Sequence, residues 1–196
     1  QENVVAQESI SWIREHGNKQ KETPWFLCAS FSRPHFPLTA PRRWIDRYWP
    51  KGVTPPKAPA AGDSYDHPSC TNLRKGFEVD GLSEDETMKM RASYFACVSY
   101  LDEMIGDMLA RLEASGDLEN TIVVYASDHG ELAGEHGGWW KHSFHEASTR
   151  VPFLFSLPEQ RKGTLEGRRI DTPVGLIDLF PTLCGFAGID QSTHLD

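Results

Sequence analysis

The sequence predicts an α/β fold, a mostly parallel sheet flanked by helices. Three observations predict it. Residues 25–31 (Trp25, Phe26, Leu27, Cys28, Ala29, Ser30, Phe31) form a continuous apolar run of strand length, the pattern of a strand covered on both faces. A long segment after Ser83 carries apolar residues at helical spacing. Two further apolar runs, 121–126 and 150–157, follow it, so strand, long helix, strand and strand succeed one another.

In order along the chain, residues 4–15 read as a helix. Val5, Ser9, Trp12 and Ile13 can share a face, and Gly17 can end the run. The strand at 25–31 leads into a proline-dense irregular segment, about 32–68, of the kind that serves as an active-site loop or lid. Ser83 is placed to cap the next helix, with Glu86 three residues on to close a capping box. That helix runs to Ala114 and ends at Gly116. Tyr94, Val98, Leu101, Ile105, Met108 and Leu112 form its predicted buried stripe. The strands at 121–126 and after Pro152 follow, and residues 177–187 read as a short helix starting near Asp178 and Pro181.

At 196 residues the chain can bury a core as one domain or two small ones. A hydrophobic fraction of 39% excludes a disordered chain. The net charge of -8 argues against a nucleic-acid surface. Anionic substrates are not excluded, because Arg33, Arg42, Arg43, Lys141 and a bound cation could make one pocket locally positive. The cysteines are widely spaced without a C-x-x-C pair, which excludes a zinc knuckle. Cys28, Cys97 and Cys184 lie in apolar runs and read as core filling, whereas Cys70, in a Pro-Ser-Cys-Thr loop, reads as an exposed thiol. No apolar stretch reaches the roughly 18 residues of a membrane span.

The chemistry concentrates after the 121–126 strand. Asp128 and His129 fall at its carboxyl end, where open α/β sheets hold ligands. A carboxylate suits hard cations and an imidazole suits transition metals, so the pair reads as half of a metal site. A turn-capping Asp128 beside a surface His129 is the plainer alternative. Gly134-Glu135-His136-Gly137-Gly138 followed by Trp139-Trp140-Lys141-His142 could fold over the site and bring the Lys141 ammonium to an oxyanion. His136, His142 and His145 read as loop contacts. Trp44, Tyr48, Trp49, Trp139 and Trp140 could pack the long loops, line a cleft or make a binding platform.

Ser127-Asp128-His129-Gly130-Glu131, Gly134-Glu135-His136-Gly137, Lys141 and Arg150-Val151-Pro152 together resemble the type I sulfatases of the alkaline phosphatase-like superfamily. Phe31-Ser32-Arg33-Pro34-His35-Phe36-Pro37 is similar to that family's Pro-His-x-Pro segment. Asp178-Leu179-Phe180-Pro181-Thr182-Leu183 with Ala187-Gly188-Ile189 is similar to a later one, and the helix bearing Tyr94, Ser99, Tyr100, Leu101, Asp102 and Gly106 also fits. The resemblance implies a partial alkaline phosphatase-like core and a parent sulfuric ester hydrolase. Asp128 and His129 would then be metal ligands of a divalent cation, normally Ca²⁺. Lys141 would bind sulfate oxygens, and His35 would contact the sulfate or the leaving oxygen. His35, flanked by Arg33 and stiffening prolines, is a candidate general acid; a loop histidine packed on Trp44 is its alternative. Arg33 could touch an acidic substrate.

The family's Cys/Ser-x-Pro-x-Arg motif, whose first residue becomes formylglycine, has no match: neither Cys28 nor Cys70 is followed by it. Early paired aspartate ligands are also missing. Residues 1–196 are therefore expected to be the middle-to-late part of a catalytic domain, lacking the nucleophile region and the C-terminal subdomain, and inactive alone. The implied partners are a sulfated small molecule or sugar and the remaining part of the same enzyme. A phosphate or phosphonate monoester hydrolase of the superfamily, with Mn²⁺ or an iron-like metal, and a non-catalytic binding remnant are the rivals.

Overall fold

A computed structural model describes residues 2–17, 23–57 and 67–190. The elements are α1 (Glu2–His16), α2 (Arg42–Tyr48), α3 (Pro68–Gly76), α4 (Glu84–Ser115), β1 (Val123–Ala126), α5 (Glu146–Thr149), β2 (Phe153–Ser156), α6 (Pro158–Arg161) and α7 (Leu179–Phe186). Single 3₁₀ turns at Asp117–Asn120, Glu135–Gly137 and Leu176–Asp178 join them.

α4 is the spine, 32 residues long, or about 48 Å at the helical rise. Its start is the expected capping box. Glu86 N donates to Ser83 Oγ at 3.3 Å, and Ser83 N donates to Glu86 Oε2 at 2.9 Å. The Ser83 hydroxyl, donating to Glu86 Oε2 at 2.6 Å, and then the Ser83 amide hold the Glu86 carboxyl below its ordinary range. Gly116 ends the helix at φ +77°, a conformation that costs a residue without Cβ little. The buried positions are Arg91, Ala92, Ala96, Cys97, Leu101, Met104 and Leu112. The stripe therefore passes through Cys97, and Val98 is exposed, contrary to expectation. Small residues at 92, 96 and 97 let neighbours approach the helix closely on that line.

Two apolar clusters flank the spine. Ala6 of α1 packs with Leu101 and Met104, joined by Phe31, Tyr100 and Ile105. Val79, Ala133 and Trp139 form the second, with Leu38, Leu82, Met90, Tyr94 and Trp140 around them, and it lies beneath the loops that carry the site. α2, inside the proline-rich segment, is tied to α4 by polar contacts: Trp44 Nε1 donates to Glu103 at 3.0 Å and Tyr48 Oη lies 2.6 Å from Ser99 Oγ. The Trp44 bond and then Arg43 hold the Glu103 carboxyl below its ordinary range. Residues 58–66 of the predicted loop lie outside the described residues.

The mostly parallel sheet is not what the chain forms. The described residues are mainly helical, and their sheet has two strands, β1 antiparallel to β2, with Val123 opposite Ser156 and Ala126 opposite Phe153. A parallel neighbour needs a crossover element, usually a helix. The connection from β1 to β2 is instead spent on the site loops and the four-residue α5. Residues 25–31 run extended but pair with no strand among the described residues. Their exposure alternates: Trp25, Leu27, Ala29 and Phe31 are half-buried, while Phe26 and Cys28 face outward. The apolar run thus encodes two apolar faces, of which this chain covers one. For the same reason Cys28 is exposed rather than core, while Cys70 is half-buried; Cys97 and Cys184 are buried as expected, and all four are free thiols. No helix among the described residues is long and apolar enough to cross a membrane.

Candidate active site

β1 ends at Ala126, and the chain turns at once. Ser127 Oγ donates to the His129 carbonyl at 2.9 Å, and Asp128 Oδ1 accepts from His129 N at 3.0 Å. Gly130 passes so close to α5 that an added Cβ would lie 2.0 Å from the Ala147 carbonyl oxygen, and its amide donates to Ser148 O at 2.8 Å. Gly130 is needed for this close approach, and it does not use the left-handed backbone region.

The two candidate ligands, Asp128 and His129, face the same space. His129 Nδ1 lies 2.8 Å from the Gly130 carbonyl. A carbonyl only accepts, so Nδ1 carries a proton in this contact, and in the neutral ring the lone pair is on Nε2. Nε2 is 3.5 Å from Asp128 Oδ2. Adjacent ligands of Ca²⁺ at right angles stand about 3.3–3.7 Å apart, so the pair fits two neighbouring coordination positions. It is not a full shell: among the described residues no group of three or more histidine, cysteine or acidic side chains could hold a metal.

His35 and Lys141 come to the same place from distant sequence. His35 N donates to Ser32 O at 3.0 Å, closing a turn after the extended run, and Nδ1 lies 3.0 Å from the Phe36 carbonyl. By the same reasoning Nε2 is an acceptor, and Lys141 Nζ donates to it at 3.0 Å. The His35 and His129 rings stand edge to face, 6.1 Å between centroids. A carboxylate, two imidazoles and an ammonium therefore converge at the mouth of β1. Asp128 is the most open of the first pair, 84% exposed against 28% for His129.

Arg33 goes elsewhere. Its guanidinium donates to the Thr39 backbone and hydroxyl and to Cys97 Sγ, pinning the 33–39 turn to α4. Burial pushes the Cys97 thiol up, against a downward pull from Arg33.

Three supporting side chains have no role assigned from the sequence: Glu131 and Glu135, which stand in the segments of family resemblance, and Arg91, which no motif singles out. Glu131 Oε1 accepts from Ala133 N at 3.0 Å and Trp140 N at 2.6 Å. Arg91, 9% exposed, donates to the Ala133 carbonyl at 2.7 Å, to Glu135 Oε1 at 3.0 Å and to the Thr54 carbonyl at 2.8 Å. Glu135 also accepts from Lys57 N at 2.9 Å. Arg91 and Glu135 so join α4, the proline-rich segment and the glycine-rich loop. A signal existed: Arg91 falls three residues before Tyr94, on the face predicted to be buried, where a charge requires a partner. His136 and His145 stack on each other at 3.9 Å, and His142 stacks on Phe77.

Comparison with known proteins places this chain among the alkaline phosphatase-like hydrolases. The sulfatase family model matches residues 1–189. The chain belongs to the sulfatase family. A sulfatase of Formosa agariphila is 34% identical over 193 residues, and the match covers 93% of this chain and 36% of that protein. A choline-sulfatase of Rhizobium meliloti is 32% identical, with 94% and 36% covered. The solved phosphonate monoester hydrolase of Agrobacterium radiobacter superposes with a TM-score of 0.77 at 25% identity, over 96% of this chain and 39% of that one. The chain thus spans little more than a third of the length of these relatives.

Proposed function

We propose that the full-length gene product hydrolyses a monoester of a tetrahedral oxyanion, with sulfate monoesters of a sugar or other small alcohol as its substrate class. The observation that carries this reading is the convergence of Lys141 Nζ on His35 Nε2, beside the Asp128–His129 pair. Lys141 neutralises the ester oxygens as charge develops on them. His35 keeps one proton at Nδ1 through the Phe36 carbonyl and turns Nε2 toward the site. Protonated at Nε2, it is the acid for the departing alcohol oxygen. Asp128 and His129 would hold one side of a divalent cation, Ca²⁺ in this reading. A bound cation supplies Lewis-acid polarisation of the ester. The nucleophile that the family resemblance implies, a formylglycine, is not among this chain's motifs. The chain's own contribution is anion binding, orientation and a proton.

Likeness to the phosphonate monoester hydrolase supports a second reading, phosphonate or phosphate monoesters at the same residues. Matched aryl sulfate, phosphate and phosphonate esters, assayed with the full-length product, separate the two by their kcat/KM ratios. Asp128→Ala and Lys141→Ala are each expected to lower kcat/KM by roughly 10²–10³, and the 196-residue chain alone to show no turnover. Turnover by the chain alone, abolished by Asp128→Ala, would overturn the incomplete-site reading. Failure of the full-length product to hydrolyse any of the three esters, or to bind a divalent cation, would favour a non-catalytic binding domain.

A further inference from the structure

Lys141 sits at the end of a backbone that does not relax on its own. The preceding residue, Trp140, has φ +70°, a left-handed conformation that a bulky side chain rarely adopts. Such a residue persists only where its surroundings over-determine it. Three contacts surround it here. Its amide donates to Glu131 Oε1 at 2.6 Å, its carbonyl accepts from Leu132 N at 2.9 Å, and its ring packs on Phe36 at 4.7 Å between centroids. Phe36 is also the residue whose carbonyl orients the His35 ring. A path of contacts therefore runs from the Glu131 carboxylate to the Trp140 amide, through Lys141 Nζ to His35 Nε2, and back through Phe36 to the Trp140 ring.

Glu131 is the carboxylate in that ring of contacts, opposite in charge to the Lys141 ammonium. It is half-buried and its charge is felt by Tyr94 of α4. The same oxygen takes the Ala133 amide at 3.0 Å, so one carboxylate oxygen ties the start of the loop to its end. Bonds from amides to a carboxylate are the stronger kind, and a half-buried carboxylate deprived of them is left poorly solvated.

We propose that Glu131 is a positioning residue: by holding the Trp140 amide it fixes the left-handed turn that aims the Lys141 ammonium at His35 Nε2. The proposal rests on reading His35 and Lys141 as the reacting pair. Glu131 acts through Trp140 and transfers no proton.

The test uses the full-length gene product labelled with ¹⁵N-histidine, at one fixed pH, with His16 of α1 as the internal control. In the parent protein His35 should show a single tautomer, protonated at Nδ1. In Glu131→Ala the His35 nitrogen signals should move toward a mixture of tautomers while those of His16 stay in place. Glu131→Gln retains an acceptor oxygen and should restore the parent signals. In turnover, Glu131→Ala should lower kcat tenfold or more with a smaller change in KM, and Glu131→Gln should recover most of it. Unchanged His35 signals in a folded Glu131→Ala protein would overturn the proposal, as would a Gln variant displaced as far as the Ala one. Should the Ala variant not fold, hydrogen exchange of the Trp140 amide in the parent protein decides: protection like that of α4 supports the tie to Glu131, and exchange at loop rates refutes it. The imidazole signals are read without turnover, so they judge Glu131 independently of whether any ester is cleaved.

Discussion

Tyr94 lies on the loop-facing side of α4, packed in the cluster that supports the site. Burial, with the Glu131 charge adding to it, pushes its hydroxyl up to about 12. The folded state thus favours the neutral phenol. Its contribution to stability is complete below the unfolded value near 10 and is lost as pH rises through about 12. Denaturation midpoints measured across that alkaline window should fall, and Tyr94→Phe should flatten the fall. A Phe variant whose alkaline curve matched the parent's would show that another group controls it. At the site, the residue types were legible: Asp128, His129, Lys141 and His35 stand in recognisable segments. Their convergence was not, because a 3.0 Å contact between positions 35 and 141 depends on two loops that only packing can orient.

Among the elements, the helices were the readable part. A capping box, a 3.6-residue period and a terminal glycine are all local, so α1 and α4 end within a residue or two of their expected limits. Strands are different, since a ladder needs a partner that the strand's own residues do not name. Hence 25–31 has strand composition without a ladder, and the β1–β2 pair runs antiparallel where a parallel sheet was expected. The 32–68 segment holds a helix, α2, inside what reads as irregular chain. Its grip on the site passes through Arg91, which joins Thr54, Ala133 and Glu135. Replacing Arg91 with leucine would leave the half-buried Glu135 carboxylate with the Lys57 amide and no cation, and should cost about 3 kcal/mol, read as a lowered urea midpoint with an unchanged slope. Glu135→Gln in the Arg91→Leu background should recover part of that loss. A shift of a few tenths of a kcal/mol or less for Arg91→Leu would mean that Arg91 is not what holds the three elements together.

For the whole molecule the notable quantity is uncovered apolar surface. Tyr125 and Leu154, directly opposite each other in the ladder, are both exposed, Leu154 at 59%, and Phe26 is exposed at 72%. Ile170, Val174, Ile177, Phe180 and Ile189 continue the pattern through the last third of the chain. Soluble monomers rarely leave so many large apolar side chains open. The 196-residue chain produced alone should therefore bind a hydrophobic dye strongly and elute as concentration-dependent oligomers in gel filtration. A dye-silent monomer at high concentration would mean that these side chains find cover within the chain itself. Phe26 lies in a run that reads as a buried strand, and the structure exposes it.

Gly130 stands between the Asp128–His129 pair and α5, with no room for even a methyl group against the Ala147 carbonyl. A mutational survey scored on turnover alone would rank this position beside Asp128 and His129. It would thereby nominate a residue that has no side chain with which to do chemistry. Intolerance here is a matter of clearance, and the tolerated set is a single amino acid whatever the neighbouring side chains do.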